Sequence, residues 1–136
     1  MFTFSISWLA VILSLLALQM LGGAWFMGVI PKAYARALGR DPNSKEKPGM
    51  LFIAGPAVCS FIVIGTNAVL LRSFHITAMS DALTFGAITG LGYLCITVQN
   101  VGINPNIPRP FLYGAINAPF FLIGNLVSCA ILTALA

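Results

Sequence analysis

A chain of 136 residues suits one domain, and this one is 59% apolar and only 7% charged. Soluble domains carry roughly 25% charged residues, so this composition cannot coat a water-facing surface, and lipid is the solvent it fits. The net charge of +4 is gathered at Lys32, Arg36, Arg40, Lys45 and Lys47, beside an apolar run. A nucleic-acid binder needs a basic face on a soluble fold, so nucleic acid is not an expected partner.

The first apolar run extends from Ser5 to Ile30 without a charge, beyond the roughly 20 residues that cross a bilayer. It is longer than a signal-peptide core and no cation precedes it, so a cleavable leader is not expected. Gln19, Gly22, Gly23 and Phe26 share one helical face, and the glycines would let another backbone approach. Trp25 and Phe26 suit the membrane–water boundary, and Pro31 closes the span because the residue before a proline disfavours helix.

Residues 31–49 are the one sizeable polar loop. Lys32 to Leu38 is expected to form a short interfacial helix, with Tyr34, Ala37 and Leu38 towards lipid and the cations towards phosphate. Asp41-Pro42-Asn43-Ser44 is a turn signal. Lys32, Arg36, Arg40, Lys45 and Lys47, with Arg109 further on, read as headgroup anchors and topology determinants.

The second run spans Met50 to Leu71 and is closed by Arg72; Pro56, Ser60, Val63 and Asn67 share a face. The third spans Ala82 to Val101, opened by Ser80 and Asp81, which suit a helix start, and it holds a GxxxG pair at Gly86 and Gly90. The fourth spans Phe111 to Ala136, opened by Arg109-Pro110. On it Gly114, Asn117, Phe121, Asn125 and Ser128 lie on one face, and Gly124 with Ser128 forms a small-xxx-small pair. The runs lack the alternation and short length of barrel strands, so an all-α integral membrane four-helix bundle is expected. The first loop holds five Lys and Arg and the third holds Arg109, whereas the second holds only Arg72; this six-to-one bias predicts both termini on the non-cytoplasmic side.

Two blocks carry a family resemblance. One is Gly23-Ala24-Trp25-Phe26, then Lys32-Ala33-Tyr34, then Gly39; the other is Arg109-Pro110-Phe111-Leu112, then Ile116-Asn117. With these blocks the chain resembles the small membrane proteins of domain-of-unknown-function family 1761. Phe26 stands where that family usually has Tyr, its proline comes later, at Pro31, and Pro119 replaces an ordinary helical residue. The resemblance implies four spans and a bacterial inner membrane, and it implies no activity.

The expected spans contain no Lys, Arg, Asp, Glu or His, which ion-coupled pumps and proton relays use. Asp81 reads as a helix-start residue and His75 as a solvated one. There is no paired carboxylate, no second histidine and no phosphate-cradling glycine pattern, so no enzyme activity and no cofactor is expected. Cys59, Cys95 and Cys129 each fall in an apolar run without metal-ligand spacing, so no metal is expected.

What the spans do hold is uncharged polar side chains: Gln19, Asn67, Asn117, Asn125 and Ser128 foremost. They read either as hydrogen-bonding contacts between helices or as the lining of a polar path. Pro56 and Pro119 free carbonyls that neighbouring helices would satisfy, or that water or a cation could use. The expectation is a non-catalytic structural or accessory component of a membrane complex, the alternative a homo-oligomeric channel or passive transporter for a small solute. Either would assemble with copies of itself or other subunits in the lipid bilayer, with small residues of the third and fourth spans as contacts.

Overall fold

The computed structural model describes residues 1, 2 and 4–136. Among them every regular element is helical. Four helices are long and apolar enough to cross a membrane: α1 (Trp8–Val29), α3 (Met50–Ser73), α4 (Met79–Gly102) and α5 (Pro110–Ala134). A short helix, α2 (Pro31–Ala37), follows the first span.

Local chemistry sets the helix ends. Ser7 is extended, and its hydroxyl accepts the Ala10 N–H at 3.4 Å, capping α1. The last turns of α1, Ala24–Val29, widen into a π-helix, and the Ile30 N–H reaches back to the Trp25 carbonyl at 2.9 Å. Ile30 then leaves helical geometry, and Pro31 takes the first position of α2, where its missing N–H costs nothing. Helix α4 begins at Met79, earlier than the expected Ala82, so Ser80 and Asp81 sit inside its first turn rather than ahead of it. There the Asp81 carboxylate still favours the positive end of the helix dipole. Pro56 and Pro119 both lie within continuous helices.

Helix α5 organises the bundle. It packs against every other helix, whereas α1 and α3 also pack on each other. It is the most buried span and α3 the least. A core of Ala10, Val11 and Leu18 from α1, Ile64, Ala68 and Leu71 from α3, Ala82 from α4, and Cys129 and Leu132 from α5 lies between them. The first and third loops share one end, where Gly39 faces Pro108. The N-terminal segment and second loop share the other, where the Arg72 Nε donates to the Ser5 carbonyl at 3.2 Å.

Helix α2 forms where expected but faces inward. Ala37 is fully buried, and the Tyr34 ring sits between Phe26 and Tyr113 at 5.3 and 6.2 Å. The apolar side of α2 therefore packs on protein rather than on lipid, because the first turns of α5 stand within reach. Lys32 and Arg36 stay exposed on α2, and Arg40, just beyond its end, is exposed too. The expected turn follows: the Asn43 N–H donates to the Asp41 carboxylate at 2.9 Å.

Gly39 ends α2 in the left-handed region, φ +68°, so that the Arg40 N–H returns to the Ala35 carbonyl at 2.9 Å. A Cβ there would lie 3.0 Å from Pro108 Cγ. Gly39→Ala is expected to lower stability by about 1–2 kcal/mol, read as a shifted unfolding midpoint in detergent micelles.

Candidate functional site

Asparagine carries two amide donors and a carbonyl acceptor, and in hydrocarbon each needs a partner within the protein. Asn67, Asn125 and Ser128 are 5%, 3% and 1% exposed. The Asn67 amide, on α3, donates to the Asn125 side-chain oxygen on α5 at 2.8 Å. The Asn125 amide in turn donates to the Gly86 carbonyl at 2.8 Å and to the Thr89 hydroxyl at 2.9 Å, both on α4. Thr89 passes its own proton to the Phe85 carbonyl at 2.8 Å, and Ser128 donates to the Asn125 carbonyl at 2.9 Å. One side chain thus joins three spans.

Glycine makes that approach possible. A Cβ at Gly86 would lie 3.3 Å from Cys129 Sγ, and one at Gly90 would lie 3.0 Å from Leu122 Cδ1 and 3.5 Å from the Asn125 amide nitrogen. Gly124 similarly faces Leu18 of α1 at 3.5 Å. The small residues of the third and fourth spans, expected at contacts between protomers, are occupied inside the bundle. The reason is geometric: the GxxxG face of α4 is the face that meets α5.

A second set of contacts lies nearer the first loop. The Trp25 indole N–H, expected at the membrane boundary, donates to the Ile116 carbonyl on α5 at 2.8 Å. The Cys95 thiol donates to the Ala118 carbonyl at 3.3 Å. Pro119 has no N–H, so α5 is one backbone donor short here, and side chains from α1 and α4 supply donors to carbonyls beside the gap. The buried Asn117 donates to the Tyr113 carbonyl at 2.7 Å, one turn back on its own helix. Gln99 lies against Gly114 and donates to the Pro110 carbonyl at 3.4 Å. Phe26 meets Phe120 edge-on at 5.1 Å, and Gly22 leaves room for the same ring. Burial raises the Tyr34 phenol above its ordinary pKa, Tyr113 raises it further, and Arg40 partly offsets both.

The predicted polar residues therefore separate. Asn67, Asn125 and Ser128 come together; Asn117 lies on the same face of α5 but bonds within its helix. Gln19 stands apart, exposed, with no hydrogen bond to any described residue. Gly23 has open space where a Cβ would be. Lys32, Arg36, Arg40, Lys45, Lys47 and Arg109 are all exposed. Sequence reasoning missed Thr89, Cys95 and the Gln99–Gly114 contact. Thr89 next to a GxxxG pair was the one available signal, since a hydroxyl there must find a partner.

This arrangement can hold helices together; its donors are aimed at carbonyls and hydroxyls of the same chain. Asn125→Leu removes bonds to two helices and strands the Asn67 amide, and a loss of about 2–4 kcal/mol is expected. Asn67→Leu alone should cost about 1 kcal/mol. In a double-mutant cycle read by unfolding in micelles, the two should couple by about 0.6–1.7 kcal/mol rather than add.

The two sequence blocks set out above meet in this region through Trp25 and Ile116, while Tyr34 and Gly39 of the first meet Tyr113 and Pro108, which lie in the gap of the second and just before it. No curated protein and no solved structure matches the chain. The family described as "Protein of unknown function (DUF1761)" matches residues 9–133, from the start of α1 almost to the end of α5, and the chain belongs to that family.

Proposed function

We propose that the protein is a non-catalytic membrane component, structural or accessory, whose task is to hold four spans in one arrangement and offer their outer faces to other chains. The observation that carries this reading is the saturation of Asn125 by α3 and α4. Polar groups committed to one another hold helices; they are not free to replace a solute's hydration shell. The exposed cations of residues 31–49 and Arg109 support an orientation with these loops in the cytoplasm and both termini outside. A bacterial inner membrane is the setting that the family resemblance favours.

The alternative is a homo-oligomeric channel or passive transporter whose lining includes Asn67, Asn117 and Asn125. Nothing in the geometry favours it, since Asn67 and Asn125 face each other across a helix contact.

Protein reconstituted in liposomes is expected to leave the leak of small ions and neutral metabolites at the level of empty vesicles. A solute flux that Asn125→Leu abolished, in protein that still folded, would overturn the proposal.

A further inference from the structure

The exposed side of α1 carries a polar group that has no partner among the described residues. Gln19 lies midway between Trp8 and Val29, roughly 15 Å from either end at about 1.5 Å per residue. A glutamine side chain cannot reach water across that distance. It is exposed and makes no hydrogen bond to any described residue. In hydrocarbon, each unsatisfied polar group costs several kcal/mol.

Its neighbours are spaced for another helix. Leu9, Ile12, Leu16, Gln19 and Gly23 recur at alternating intervals of three and four, the period of a left-handed helix pair. Leu9, Ile12 and Leu16 are 62%, 52% and 54% exposed, and a Cβ on Gly23 would meet nothing within 4 Å. This seam lies opposite the face of α1 that packs inward through Val11, Ser14 and Leu18.

We propose that the protein self-associates along α1, with Gln19 of one copy bonded to Gln19 of a second. The carboxamide argues for a second copy in particular. It carries both donor and acceptor, so two of them across a two-fold axis satisfy each other, and an isologous interface places a residue near its own counterpart. A single polar residue in an otherwise apolar seam also sets the register of a helix pair. The small residues of α4 and α5 cannot serve, because Gly86, Gly90 and Gly124 already meet side chains of the same chain.

This inference deepens the accessory-component reading by naming a partner, and it fails separately from it. The full-length protein, fluorescently labelled, would be diluted into phosphatidylcholine–phosphatidylglycerol bilayers and its dimer fraction followed by energy transfer. Gln19→Leu is expected to weaken dimerisation about 3- to 15-fold without changing the unfolding midpoint. In a Cys59→Ser background, Leu16→Cys should cross-link between copies under mild oxidation, and Ile62→Cys on the exposed side of α3 should not. A monomeric wild type, equal dimerisation by Gln19→Leu, or cross-linking at Ile62→Cys alone would overturn the proposal. None of these results would create a solute flux, which is the result that counts against the accessory reading itself.

Discussion

A carboxamide in the middle of a bilayer has nowhere to turn but to the rest of the protein, and the arrangement of this bundle follows from how Asn125 resolves that demand. Its oxygen takes a donor from α3, and its nitrogen gives protons to a carbonyl and a hydroxyl on α4. Lipid tails are as apolar as leucine, so burial of Leu and Ile gives little reason for helices to prefer each other over lipid. Close packing and hydrogen bonds decide. Gly86 and Gly90 bring the α4 backbone near α5, and Asn125 then fixes which residues meet. Without both, α4 would have little to hold it, since it relies on α5 and scarcely touches α3, whereas α3 packs on α1 as well.

The same rule governs the end of the bundle near the first loop. Pro119 removes a donor from α5, and Trp25 and Cys95 supply donors to nearby carbonyls from the flanking helices. Both flanking helices widen into π geometry close by, at Ala24–Val29 and Gly90–Cys95. Trp25 and Cys95 lie within these segments, so the widened turns present the side chains that reach α5. The wider turn adds a residue to the helix and so re-aims the side chains after it. The abrupt change from apolar to cationic sequence at Pro31 is the outer edge of this assembly: α2 folds back on α5 and leaves its cations on the surface.

The spans were legible because hydropathy and length alone identify them; the helix start at Pro110 could be read from proline's missing N–H, and Pro31 was legible as the close of the first span though not as the first residue of α2. The face of α5 that carries Asn117, Asn125 and Ser128 was legible too, since helical periodicity groups those residues. What periodicity does not reveal is whether a face meets protein or lipid. These helices are apolar nearly all round, so no polar side marks the outside. Gln19 and Asn125 have the same chemistry in similar sequence, yet one is exposed and the other buried among three helices. For the same reason Tyr34 and Ala37 read as lipid-facing, and the small residues of α4 as a surface, when both pack inward. Thr89 and Cys95 entered the picture only with the positions of their partners.

The central claim is that the deep asparagines bond to each other and not to water. It is tested most directly by nuclear magnetic resonance of the side-chain amides, with 15N-labelled asparagine in the folded protein in bilayers. The account predicts that the Asn67 and Asn125 amide protons exchange slowly with deuterated solvent, and that each lies within through-space contact of the other residue. Fast exchange of both amides, with no contact between them, would mean that water reaches the centre of the bundle and would contradict it.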